Sequence, residues 1–235
     1  MVFGLFDGKR LIQQWRRPSD SFRKVPHNFR CDGVVVASVV PALDQALRVE
    51  IKKRFGIRPH FVSGRNIKGI RVKVSKAEVG ADRVVDALAA YRLYGGPCII
   101  VDFGTATTFD VISAAGEYLG GAIAPGIMLG RDALYERTAK LPLVEIKVPR
   151  SVIGTDTVTA IQSGLVFGYV AMVEGMIQRI KSKIKNQKSK MKVIATGGLA
   201  MLICKYAKGV DSVDPFLTLK GLQMIGEEIY GRRTK

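Results

Sequence analysis

From Cys98 to Val101 the chain is apolar at every position, and the run then breaks into Asp102, Gly104 and three threonines, Thr105, Thr107 and Thr108. A run without alternation is the pattern of a strand buried on both faces. Its polar end then forms a turn at the C-terminal edge, where open α/β sheets hold ligands. Before this stretch, Val2 to Phe6 and Arg10 to Trp15 flank Asp7-Gly8, a hairpin signal. Gly33 to Val40 (GVVVASVV) is a second unbroken apolar run and predicts another buried strand, stopped by Pro41. Leu43, Ala46, Leu47 and Ile51 recur at three and four residues, predicting an amphipathic helix over Ala42 to Arg54. His60 to Val62 reads as a short strand, and Val84, Val85, Leu88 and Ala89 build a helix behind Gly80.

After Asp110 the pattern predicts a hairpin, Phe109 to Ser113 and Tyr118 to Ile123, turning at Ala115-Gly116. A helix over Ile127 to Ala139 follows, then an extended piece, Leu141 to Val148, and a long helix over Thr155 to Lys185. Met191 to Ala195 reads as a strand ending in Thr196-Gly197-Gly198, and Pro215 to Tyr230 as a closing amphipathic helix. Mixed strands and helices of these lengths define an α/β protein. A weak echo joins the two hairpins, but only the second is preceded by a polar, glycine-bearing strand end.

Composition narrows the picture. With 235 residues, 47% of them apolar, the chain can bury a large core, and disorder is excluded. No apolar run approaches the ~20 residues of a membrane span, and no secretory pattern opens the chain, so a cytoplasmic, soluble protein is expected. Cys31, Cys98 and Cys204 stand far apart in apolar surroundings, as reduced core thiols do. His27 and His60 have no partner that would make them metal ligands and read as surface histidines. The net charge of +17 raises a nucleic-acid partner. Its densest part, Arg179, Lys181, Lys183, Lys185, Lys188, Lys190 and Lys192, has no interleaved aromatic to stack a base. A solvated helix end fits that run better, and the field would also draw an anionic small substrate.

Two stretches carry chemistry. Gly104 lets the backbone approach a ligand, amides and threonine hydroxyls around it can donate to phosphate, and Asp102 can hold a cation or water. The competing reading is an ordinary strand ending in a threonine-rich turn. In the second stretch, Asp82 and Arg83 stand in the first turn of the helix after Gly80. Asp82 could take a proton from a substrate hydroxyl while Arg83 binds a carboxylate or phosphate, or Asp82 could simply cap the helix.

VDFGTATTFD (Val101 to Asp110), EVGADR (Glu78 to Arg83), SVVP (Ser38 to Pro41), GGAIAPGI (Gly120 to Ile127) and GTDTVTAIQSG (Gly154 to Gly164), in this order, resemble the type III pantothenate kinases. Thr196 to Gly198 fits the wider acetate and sugar kinase, heat-shock and actin superfamily, in which such a turn lies near the adenosine. The resemblance implies two ribonuclease-H-like (actin-like ATPase) domains, residues 1–95 and 96–235 with a boundary near Tyr94 to Pro97, and ligands in the cleft between them. It implies ATP-dependent phosphorylation of pantothenate, the first step of coenzyme A biosynthesis, by a homodimer using a divalent metal such as Mg2+ and a monovalent cation, K+ or NH4+. Ile161 to Met176 is apolar enough to supply an interface.

By the same resemblance, Asp82 is the general base, and Gly80, Ala81 and Arg83 form the pantothenate segment, with Arg83 on its carboxylate. Thr157 contacts substrate, Asp102 is the monovalent-cation ligand, and Gly104 and Thr105 meet the ATP phosphates. The chain departs from the family pattern in three places. Lys73 stands where a tyrosine is usual, with Ser75-Lys76 in place of Asn-Pro, and Asp86 replaces a frequent asparagine. The family's first phosphate turn, Asp-x-Gly-Asn-Thr, is not found, and a native protein with further residues upstream is the expectation. These departures also define a rival, a catalytically inactive kinase-fold protein with a binding or regulatory role.

Overall fold

A computed structural model describes residues 1–17, 24–26, 28–184 and 190–231. His27, Lys185 and Lys188 lie outside the described residues. In chain order the elements are β1 (Val2–Asp7), β2 (Arg10–Arg16), β3 (Val35–Val36), α1 (Pro41–Phe55), β4 (His60–Phe61), β5 (Arg71–Val72) and α2 (Ala81–Tyr94). Then come β6 (Cys98–Phe103), β7 (Ala106–Ile112), β8 (Glu117–Pro125), α3 (Ile127–Glu136), α4 (Thr157–Lys183), β9 (Lys192–Gly197), α5 (Ala200–Ile203), β10 (Ser212–Val213) and α6 (Leu217–Tyr230). The chain forms two compact units, Met1–Leu93 with Phe216–Lys235, and Tyr94–Pro215. A single cut near Tyr94 to Pro97 does not describe this division, because the last helix returns to the first unit.

The first unit is thin in sheet. β1 and β2 form an antiparallel ribbon turning at Gly8, and β3 pairs in parallel with β4 alone. The run Gly33 to Val40 is therefore not the buried strand its apolarity predicts: only Val35 and Val36 pair, and Val39 and Val40 are exposed. α1 begins at Pro41, whose fixed φ suits a first helical position, and stops at Gly56, whose amide donates to the Lys52 carbonyl at 2.9 Å. Its Leu47 and Ile51 meet Val25, Phe3, Val36 and Phe61 in a small core. α6 is held to this unit by Tyr230 Oη donating to the Val34 carbonyl (3.2 Å), Gln223 Nε2 donating to the Gly8 carbonyl (3.0 Å), and an Arg92–Glu228 ion pair. α2 is buried continuously from Val84 to Ala90. Fully burying each of its larger apolar side chains contributes ~1.5–3 kcal/mol, which secures the helix that carries Asp82.

The second unit is built on strands in the order β10-β9-β6-β7-β8. β6 lies centrally, parallel to β9 and antiparallel to β7, and all four residues from Cys98 to Val101 are fully buried, as the apolar run predicts. Ile99, Val101 and Phe103 face a core with Phe109 and Val111 of β7, Val193 and Ala195 of β9, and Val166, Val170, Val173 and Ile177 of α4. Among the described residues α4 is the one helix long and apolar enough to cross a membrane. This differs from the expectation that no apolar run approaches that length; the helix's apolar stripe is used in this core. All three cysteines are free, and burial pushes the Cys98 thiol up to about 12 and that of Cys204 up to about 11. Of the basic run, Lys192 is engaged, its Nζ donating to the Tyr94 carbonyl at 2.6 Å.

Candidate active site

In the first unit, Gly80, Ala81, Asp82 and Arg83 form one contiguous group where α2 begins. The Gly80 carbonyl accepts the first helical bond from the Val84 amide at 3.3 Å. Asp82 lies in the first turn, half-buried, and its Oδ1 accepts from the Arg83 amide at 2.8 Å. The carboxylate thus satisfies one of the amides that a helix start leaves without a backbone partner, as the capping reading holds. The same bond fixes the carboxylate's direction, as a base requires. A Cβ on residue 80 would stand 2.6 Å from Asp82 Oδ1, so glycine there keeps the carboxylate's space clear. Asp86, one turn further along the helix, is buried. Lys73, at the departure from the family pattern, is exposed.

In the second unit, β6 ends at the corner read from the sequence. Asp102 is half-buried, and Gly104 and Thr105 are exposed. The Gly104 amide donates to the Ala106 carbonyl at 3.1 Å, so Gly104 contributes space beside Asp102 rather than a free donor. A Cβ there would sit 3.8 Å from Asp102 Oδ2. Strand register adds what the sequence alone does not reveal. Asp102 is directly opposite Thr108 on β7 and Thr196 on β9, so three polar side chains share one face across three strands. Thr108 Oγ1 also donates to Asp110 Oδ2 at 3.0 Å, and Tyr118 Oη to Asp110 Oδ1 at 2.6 Å, which satisfies a buried carboxylate under this row. Thr196 carries a signal only through its TGG turn, and Thr108 only as one of three threonines.

The turn after β9 closes on the same corner. Gly197 has φ +93°, and a Cβ on it would be 2.3 Å from Asp102 Oδ1 and 2.6 Å from the Phe103 amide nitrogen. Only glycine combines that backbone with that approach. Gly126, before α3, donates from its amide to the Thr105 carbonyl at 3.1 Å.

Thr157 lies at the exposed first position of α4. Asp156 caps this helix: its Oδ1 accepts from the Thr159 amide (2.9 Å), while Thr159 Oγ1 accepts from the Asp156 amide (3.3 Å). Those bonds from Thr159 hold the Asp156 carboxyl below its usual range. The candidate residues therefore fall into three groups: Gly80 to Arg83 in one unit, and Asp102 with Gly104 and Thr105, and Thr157, in the other.

The fold is similar to that of a Campylobacter jejuni protein described as a conserved Baf family transcriptional activator, with a TM-score of 0.59 and 20% identity, over 86% of this chain and 85% of that one. A looser likeness, TM-score 0.44 and 10% identity over 97% of this chain and 90% of the other, is to the activator of the 2-hydroxyisocaproyl-CoA dehydratase from Clostridium difficile, a structure with bound ADPNP. The model of the type III pantothenate kinases matches residues 1–179 of the 235, and the chain belongs to that family.

Proposed function

We propose that the chain transfers the γ-phosphoryl group of ATP to the primary hydroxyl of pantothenate, opening coenzyme A biosynthesis. The observation that carries this reading is the Asp82 and Arg83 pair in the first turn of α2, within the span that matches the family. Asp82 takes the hydroxyl proton as the oxygen forms its bond to the γ-phosphorus; the bond from that phosphorus to the β-phosphate oxygen breaks, and ADP leaves. Arg83 binds the pantothenate carboxylate, with Gly80 and Ala81 shaping the segment around it and Thr157 giving a hydroxyl contact. Gly104 and Thr105 adjoin the nucleotide phosphates. The reading includes the two-domain actin-like arrangement and a homodimer, to which exposed Val152 and Ile153, ahead of α4, and Val158, in its first turn, lend apolar surface.

Among the described residues no three His, Cys, Asp or Glu side chains gather into a metal cage. In phosphoryl transfer Mg2+ rests on one or two carboxylates, water and phosphate oxygens. Asp102, flanked by Thr108 and Thr196, is the oxygen-donor set suited to a hard cation, Mg2+ or the monovalent K+ or NH4+. Such a cation supplies neutralisation of charge on the transferring phosphoryl group.

The test is phosphorus NMR of ATP and pantothenate incubated with the chain, Mg2+ and K+. A new phosphomonoester resonance growing with ADP is expected. ATP left unchanged, or hydrolysed to free phosphate without that resonance, would overturn the proposal.

A further inference from the structure

Tyr169 of α4 lies in a setting that the assigned roles do not use. Its hydroxyl meets Thr107 Oγ1, stands 3.4 Å from the Pro125 carbonyl oxygen and faces the Ile127 amide, while its ring sits 6.2 Å from that of Phe103. A phenol donates one hydrogen bond and accepts two, and this set matches that inventory: Ile127 and Thr107 donate to it, and it donates to Pro125. Thr107 is fully buried, and burial raises the Tyr169 hydroxyl above its ordinary range.

The turn gripped in this way contains Gly126, whose amide donates to the Thr105 carbonyl. The turn approaches the corner closely: a Cβ on residue 126 would be 2.2 Å from the Thr105 carbonyl oxygen and 2.7 Å from that of Gly104. Thr107 itself is two residues from Thr105. One hydroxyl on α4 thus grips both chain segments that bound the corner, the start of β7 and the turn before α3.

We infer that Tyr169 is a positioning residue for nucleotide: by holding Thr107 and the Pro125–Ile127 turn together it sets Thr105 where a phosphate oxygen meets it. The assignment rests on the reading of that corner as the ATP-phosphate site.

Tyr169→Phe removes the hydroxyl and keeps the ring. Its affinity for a fluorescent ADP analogue should fall and its KM for ATP rise, each roughly three- to tenfold, the loss of one or two net hydrogen bonds, with KM for pantothenate unchanged. Tyr206→Phe, at an exposed tyrosine whose ring stands edge-on to Phe167, should change neither. Unaltered nucleotide affinity in Tyr169→Phe, or equal rises in both KM values, would overturn the inference. If the native chain binds the analogue without turning over pantothenate, the proposed reaction fails, and the affinity ratio still decides the role of Tyr169. Failure of the native chain to bind nucleotide overturns both. Should Tyr169→Phe not fold, Thr107→Ser should bind as the native chain does and Thr107→Val should show the loss; equal behaviour of the two rejects the assignment.

Discussion

In the second unit the candidate phosphate corner ends a strand buried on both faces and is assembled from three separated segments, Asp102 to Thr105, Pro125 to Ile127 and Thr196 to Gly197. In the first unit the candidate base belongs to four consecutive residues, Gly80 to Arg83, at the start of a buried helix in a unit whose own sheets are two-stranded ribbons. One region is built by long-range register and the other by local sequence. The corner is accordingly sensitive to backbone changes far along the chain, and the base to changes beside it. Stability and chemistry should separate along the same line.

The largest effect on stability is expected at the corner. Gly197→Ala forces a left-handed residue with a side chain against Asp102 and the Phe103 backbone, at a cost of about 2–4 kcal/mol. Denaturant unfolding should register it, together with lost nucleotide binding; an unchanged midpoint would mean that the β9 turn does not brace the corner. Gly80→Ala sharpens the contrast, because the atom it would meet is the end of the Asp82 side chain, which can rotate away. Melting should barely move, while pantothenate turnover falls roughly 10- to 100-fold from a displaced base. A loss of stability without loss of turnover there would reverse the assignment of roles.

A smaller effect lies at Asp156. Its carboxyl is held below its usual range in the folded chain, so its capping contribution is present above the unfolded carboxylate value and is lost as pH falls through the folded one. Asp156→Ala should therefore lower the melting temperature near neutral pH, and the gap from the native chain should close on acidification. A gap that persists in acid would remove charge from the explanation.

Legibility in the sequence follows the same division. The helix start behind Gly80 could be read because its signal is local, and α2 begins within a residue of Asp82. Each segment of the corner left a mark in the sequence, GGAIAPGI and Thr196-Gly197-Gly198 included, but their assembly did not. CIIV announced a strand covered on both faces, but the partners of Asp102, Thr108 and Thr196, depend on which strands pair and in what register. Tyr169 is one of many residues on an apolar helix, and nothing in its spacing marks the turn it holds. The error at Gly33 to Val40 has the same origin: apolarity records what could be buried, and a short strand with one partner leaves Val39 and Val40 in solvent. α5 and β10, at four and two residues, are too short to leave a periodic pattern.

The most direct test of the division between base and corner is pantothenate-dependent ATP turnover of the native chain and Asp82→Asn, read beside nucleotide affinity in the same preparations. The expected result is turnover in the native chain, its loss by about 10²–10⁴-fold in Asp82→Asn, and equal nucleotide affinity in the two. Turnover that survives the substitution, or nucleotide affinity that falls with it, would show that Asp82 does not act as a base separate from the phosphate corner.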